Sequence, residues 1–167
     1  KARGWRVQWA GNPEAMEGRL VPAHGVELNT LVFSGFRGKG LLQQLLMPVK
    51  LLRAFWTSIQ ILRRAKPAVV LGMGGYVTGP GGLAARMAGV PLIIHEQNAV
   101  AGTANRLLVP LAARVCEAFP KTFGASDKLR TTGNPVRTEL FMGLAREALA
   151  GRKVHLLVMG GSLGSEP

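Results

Sequence analysis

The chain has 167 residues, 47% of them hydrophobic and 22 of them glycine, which suits one domain or one and a fraction and excludes a disordered tail. Its 21 Lys and Arg against nine Asp and Glu leave a net charge of +12, so the partner is expected to be anionic. A single cysteine excludes a disulfide framework, aromatics at 6% are too few for a nucleic-acid stacking platform, and no apolar run approaches the ~20 residues that span a bilayer. Lys1–Gly4 reads as the tail of a helix capped by Gly4, and Trp5–Ala10 alternates as an exposed strand does. Opening on a helix tail, with neither an initiator methionine nor a signal peptide, the chain reads as an internal fragment of a larger protein. Gly11-Asn12-Pro13 turns, Glu14–Val21 predicts a short helix closed before Pro22, and Val26–Phe33 predicts a strand after Gly25. Ser34–Gly40 is a basic glycine loop, either a connector or a phosphate-facing segment.

Leu41–Lys66 carries Leu42, Leu45, Val49, Leu52, Phe55, Trp56, Ile59 and Leu62 at helical spacing, and Pro48 is expected to break or kink the helix into two segments. Leu41, Leu46, Met47 and Leu51 lie off that face, and Lys39, Lys50, Arg53, Arg63 and Arg64 are interleaved. Such a pattern fits a core helix with a solvated basic side, or a helix lying in a membrane interface.

The rest of the chain is organised around Val69–Asn98. Ala68–Leu71 reads as a buried parallel strand, and Gly72–Gly82 follows with six glycines in eleven positions. A helix over Leu83–Met87, Gly89 as its cap, Pro91 and a strand Leu92–Ile94 complete a βαβ unit. Glycines at the carboxyl end of a strand, against a helix N-terminus, offer backbone N–H groups to a phosphate or pyrophosphate. The loop is neither a Walker A sequence, lacking Gly-Lys-Ser/Thr, nor G-x-G-x-x-G, since Val77 stands at the last glycine position. His95-Glu96-Gln97-Asn98 delivers four polar side chains to the same sheet edge.

Downstream, Ala99–Leu111 predicts a helix carrying Asn105 and Arg106, and Arg114–Ala118 a strand in which Cys116 is an inert buried thiol. Pro120–Asp127 reads as a loop, Leu129–Thr132 as a strand and Gly133-Asn134-Pro135 as a turn ending the first domain. A weak helix over Leu140–Leu149 precedes a strand Val154–Met159 that opens into Gly160–Gly164. No Cys/His cluster has metal-ligand spacing, and no Ser-His-Asp pattern or internal repeat occurs.

GMGGYVTGPGG, the HEQNAVAGTAN run (His95–Asn105), Gly133-Asn134-Pro135-Val136-Arg137 and Gly160-Gly161-Ser162-Leu163-Gly164 stand in order and at suitable spacing. By these four motifs, nearly the whole chain resembles the MurG family of bacterial glycosyltransferases. That resemblance implies an α/β fold with a Rossmann-like parallel sheet, in the two-domain GT-B arrangement. Residues 1–137 would be an incomplete acceptor and membrane-binding domain, and 138–167 the start of a truncated UDP-sugar-binding domain. The implied reaction is inverting transfer of N-acetylglucosamine from UDP-N-acetylglucosamine to lipid I, forming lipid II for peptidoglycan, without cofactor or metal. The fragment alone would be inactive. Gly74, Gly75, Tyr76, Thr78, Gly79, Gly81 and Gly82 would cradle the acceptor diphosphate. His95, Glu96 and Asn105 would line the cleft, and Asn98, Arg137 and Ser162 would reach the UDP-sugar. The family's first glycine loop, which bears a histidine proposed as base, does not occur in this sequence; His95 and Glu96 are weak candidates on chemical grounds. Leu45, Val49, Lys50, Leu52, Arg53 and Phe55 would dock on anionic lipid at the cytoplasmic face of the inner membrane, as a peripheral enzyme with no nucleic-acid partner.

Two other classes fit parts of the pattern. A dinucleotide-binding oxidoreductase would use the Gly-rich βαβ unit with Glu96 on a ribose. A basic, non-catalytic membrane or nucleic-acid adaptor would use the charge and leave His95–Asn98 idle.

Overall fold

The computed structural model describes residues 4–33 and 46–136. The chain divides into two units, Lys1–Asn134 and Pro135–Pro167, and every element described belongs to the first. Expectations for the 34–40 loop, Leu45, Arg137, the 140–149 helix, the 154–159 strand and Ser162 fall outside the described residues.

Strands and helices alternate as far as the fifth strand, the pattern of a Rossmann-like α/β chain, and a loop alone joins that strand to the sixth. Strand β1 (Gln8–Gly11) leads through helix α1 (Met16–Ala23) to β2 (Glu27–Thr30), and the two strands pair in parallel with Gln8 opposite Glu27. Helix α1 runs two residues past its expected end and takes Pro22 into its last turn; Gly25, at φ +62°, then reverses the chain. Helix α2 (Met47–Ala65) follows, then β3 (Val70–Gly72), α3 (Thr78–Met87), β4 (Leu92–Glu96), α4 (Thr103–Leu108) with a 3-10 turn at Val109–Leu111, β5 (Arg114–Glu117) and β6 (Leu129–Thr131). Strands β3 to β6 form a second parallel sheet in simple sequential order. The expected parallel sheet is thus present in two parts, of two and four strands, among the described residues.

Helix α2 starts at its proline and buries a narrow face. Pro48 stands in its first turn, where the missing N–H has no intrahelical acceptor and the fixed φ suits a helix start, so the helix begins at the proline where a break was expected; the segment expected over 41–45 lies outside the described residues. The apolar residues at helical spacing divide between a buried and an exposed side. Met47, Ala54, Ser58 and Ile59 turn inward, while Val49, Leu52 and Trp56 stand more than half exposed. Ser58 is tolerated inside because its hydroxyl donates to the Ala54 carbonyl at 2.8 Å. The helix closes on Lys66 in the left-handed region, and Arg6 donates to the Ala65 carbonyl at 3.0 Å.

Helix α3 ends as expected at Gly89. At φ +71°, Gly89 donates to the Arg86 carbonyl while Val90 donates to that of Ala85, the paired bonds of a Schellman motif. Its Ala84 and Ala85 are fully buried. The larger core lies around β4 and β5, where Leu92, Ile94, Leu108, Ala112 and Val115 pack together. A smaller cluster of Leu31, Phe33 and Ala54 ties the end of β2 to α2. Complete burial of a side chain such as Ile94 contributes about 1.5–3 kcal/mol, so β4, buried on both faces, is the fixed reference on which the site stands.

Candidate functional site

Since β3 to β6 all run parallel, their carboxyl ends share one edge. That edge gathers the Gly72–Val77 loop, His95–Asn98, Glu117 and Thr131–Asn134. Within the loop, Gly74 and Gly75 are consecutive left-handed residues, at φ +85° and +77°, a conformation that costs an L side chain about 1–2 kcal/mol at each position. The Thr78 hydroxyl donates back to the Gly74 carbonyl and holds the loop against the first turn of α3. A Cβ added at Gly75 would meet nothing within 4 Å, so the loop opens outward there, beside the exposed Tyr76.

Helix α3 starts five residues before the expected Leu83, because Gly79, Pro80, Gly81 and Gly82 all enter it. Proline is accommodated in a first turn, and glycines there spare the core. No acidic residue occupies that turn, so the positive end of the helix is uncompensated by its own side chains. Gly79 and Gly81 face open space. Gly82 faces the core instead: a Cβ there would lie 2.7 Å from Leu108 Cδ1 and 3.2 Å from Leu92 Cδ2. Its small size is explained by packing.

Strand β4 extends past the expected Ile94, so His95 and Glu96 are still in the ladder, opposite Cys116 and Glu117. Cys116 is half-buried. Glu96 is 2% exposed and accepts four hydrogen bonds. Its Oε1 receives the Asn98 N–H at 3.1 Å and Asn98 Nδ2 at 3.0 Å, and its Oε2 receives the Gly102 N–H at 3.0 Å and Asn105 Nδ2 at 2.8 Å. Burial pushes this carboxyl up, but the donors from Gly102, Asn105 and Asn98 together outweigh it and hold the pKa below the ordinary carboxylate range. Asn105 is fully buried and gives its second N–H to the His95 carbonyl at 3.2 Å, leaving Oδ1 without a hydrogen bond. Glu96 and Asn105 therefore lie beneath the edge and support it, while Asn98 stands exposed upon it.

His95 has both ring nitrogens engaged. Nε2 lies 3.1 Å from the Gly133 carbonyl oxygen, and Nδ1 lies 3.3 Å from the amide nitrogen of Gln97. Asn134 Nδ2 in turn donates to the Gln97 carbonyl at 3.1 Å.

Sequence reasoning missed Glu117. It is 2% exposed at the end of β5 and accepts the Phe123 N–H at 3.2 Å and the Thr131 hydroxyl at 2.9 Å. Burial raises its pKa, and hydrogen bonds from the Phe123 N–H, the Thr131 hydroxyl and the Lys121 and Thr122 N–H groups bring it below the usual range. An acid closing a short strand, with Phe119-Pro120 two residues on, was the one signal available. The partners that make it structural lie across a loop and a strand.

Among the described residues no three His, Cys, Asp or Glu cluster as a metal site would need. The dinucleotide reading fails on Glu96, whose oxygens are filled from its own chain and closed off from a ribose.

Residues 1–117 match the glycosyltransferase family 28 N-terminal domain. The chain is 66% identical over 165 residues to the UDP-N-acetylglucosamine--N-acetylmuramyl-(pentapeptide) pyrophosphoryl-undecaprenol N-acetylglucosamine transferase of Pseudomonas fluorescens (strain SBW25), covering 99% of this chain and 46% of that protein. It is 62% identical over 167 residues to the transferase of the same name from Ectopseudomonas mendocina (strain ymp), covering 100% of this chain and 47% of the relative. The crystal structure of Acinetobacter baumannii MurG superposes with a TM-score of 0.67 at 40% identity, over 82% of this chain and 39% of that one. The chain thus spans about half the length of the curated relatives it matches. The resemblance to MurG, first carried by four motifs, holds along the chain, and the chain belongs to glycosyltransferase family 28 through its N-terminal domain.

Proposed function

We propose that this chain is the acceptor-side part of an inverting transferase that moves N-acetylglucosamine from UDP-N-acetylglucosamine onto a muramyl-pentapeptide pyrophosphoryl-undecaprenol, forming lipid II for peptidoglycan. The single observation carrying this is the open Gly74–Gly75 turn at the head of α3, on the same edge as Asn98. The names of the relatives supply the substrates. In the reaction an acceptor hydroxyl oxygen bonds to the anomeric carbon, the bond to UDP breaks, and the hydroxyl proton passes to a base. Here Gly74, Gly75, Tyr76, Gly79 and Gly81 hold the acceptor diphosphate through backbone N–H groups and the helix end. Thr78 fixes the loop from behind, Asn98 is oriented by Glu96 and assigned to the donor sugar, and the resemblance alone assigns Arg137 and Ser162 to the same ligand. Residues 1–137 form the acceptor domain and 138–167 begin the donor domain. Glu96 does not suit the base: four donors fill its lone pairs and depress its basicity.

The same reading places the enzyme peripherally on the cytoplasmic face of the inner membrane. Among the described residues no helix is long and apolar enough to cross a membrane. Val49, Leu52 and Trp56 form an exposed apolar stripe on α2, with Leu46 and Leu51 also exposed beside it. Lys50 and Arg53 line a groove of about 400 Å³ next to it, suited to anionic headgroups. Phe55 is half-buried and contributes less than the others.

The diphosphate assignment is tested with this chain built into the Pseudomonas fluorescens transferase in place of its matching segment. Gly75→Val adds bulk where the loop opens, in a backbone conformation valine resists. Acceptor KM should rise at least about tenfold while donor affinity by isothermal titration stays put, since only uniform acceptor binding is removed. Unchanged acceptor kinetics would end the assignment.

A further inference from the structure

We propose that His95 is a positioning residue whose imidazole pins the segment that leaves the first unit, and that it is not the proton acceptor of the reaction. Histidine on a sheet edge beside a candidate site invites a general-base role, but the hydrogen bonds assign it differently. A carbonyl oxygen can only accept, so the 3.1 Å contact to Gly133 requires the proton on Nε2. Nδ1 is then the acceptor, and the Gln97 amide donates to it at 3.3 Å. Both nitrogens of the neutral ring are committed, and the side chain is only 9% exposed.

What the ring holds is specific. Gly133 is 38 residues away in sequence, beyond the end of β6, and it takes the left-handed φ of +71°. His95 belongs to β4, so its side chain reaches past β5 to hold a segment whose own strand pairs only with β5. The same segment is held twice more: Asn134 Nδ2 donates to the Gln97 carbonyl, and the Thr132 N–H donates to the Glu117 carbonyl at 2.9 Å. These three ties fix Thr132–Asn134, and the unit boundary falls immediately after, between Asn134 and Pro135. The strand-end motif and the Gly-Asn-Pro motif, separate in sequence, are one clamp in space.

The inference rests on the transferase reading only for its kinetic readout; an exchange readout stands apart from it. In the same chimeric transferase, His95→Gln puts an amide N–H where the imidazole donates and carries no titratable group, whereas His95→Ala removes the tie. For a pin, His95→Ala should lower kcat/KM at least about tenfold, and His95→Gln should stay within about threefold of the parent with both limbs of the pH–rate profile in place. Amide hydrogen exchange over residues 132–136 should quicken about tenfold or more in His95→Ala and recover in His95→Gln. Asn134→Ala, at an exposed position, keeps the fold and should quicken exchange in the same segment without moving the pH profile. A base would behave differently: His95→Gln would lose roughly 10²–10⁴ in kcat, as His95→Ala does, and one limb of the profile would vanish. That result overturns the proposal, and so does exchange over 132–136 that neither His95→Ala nor Asn134→Ala alters.

Discussion

Glu96 shows how one buried carboxylate can hold a strand end and the turn after it together from beneath. A buried carboxylate is costly unless every lone pair is filled, and here two backbone N–H groups and two side-chain amides fill them. The charge in turn gathers the 97–102 turn, Asn98 and Asn105 around one point. Because those donors hold its folded pKa below the ordinary range, the stabilisation is complete above that range and is lost as pH falls through the lowered value. Glu96→Gln should therefore destabilise the chain at neutral pH by about 2–3 kcal/mol, the scale of a charged hydrogen bond whose replacement presents a donor to donors. It should also flatten the acid limb of the stability curve followed by urea unfolding. An unchanged acid limb would mean that other carboxylates govern it, Glu117 first among them. At this scale the sequence was half legible. His95–Asn98 stood out as polar residues ending an apolar run, but Glu117, Thr131 and Gly133 became partners only through a strand register that spacing does not encode.

The elements were legible in kind and less so in their limits. Helix α3 was expected from Leu83, since three glycines and a proline weigh against helix in isolation; tertiary packing overrides them, with Gly82 pressed against Leu108 and Leu92. Alanine at position 82 gains up to about 1 kcal/mol in helix propensity but meets Leu108 Cδ1 at 2.7 Å, and overpacking costs about 1–3 kcal/mol. Packing wins, so Gly82→Ala should lower the midpoint of thermal unfolding. Gly79→Ala, with open space at its Cβ, should hold or raise it. A Gly82→Ala protein as stable as its parent would show that α3 slides freely over β4. Helix α2 was legible as a helix, while its buried face was left open. Its apolar residues recur at helical spacing on more than one face, and spacing alone does not tell which face is covered; Ala54 and Ser58 lie on the covered one, where small residues allow close approach.

Across the whole molecule, the +12 charge and the exposed stripe of α2 ask for one surface that satisfies both. Charge alone would suit any polyanion, and apolar exposure alone would suit a protein partner, but Val49, Leu52 and Trp56 beside Lys50 and Arg53 suit an anionic lipid interface. The two contributions separate by salt. Each buried apolar side chain offers about 1.5–3 kcal/mol, and each basic residue at an anionic surface roughly 1 kcal/mol. The Debye length falls from about 10 Å at 0.1 M to about 3 Å at 1 M, so raising salt should weaken co-sedimentation with phosphatidylglycerol vesicles without abolishing it. Val49→Glu with Leu52→Glu places two charges at positions already more than half exposed, so circular dichroism should stay native while vesicle binding disappears at both salt concentrations. Lys50→Gln with Arg53→Gln should instead remove the salt-sensitive share and leave the rest. Undiminished binding by the folded Val49→Glu, Leu52→Glu protein would move the lipid surface off α2 altogether, and the stripe would then be a contact for protein.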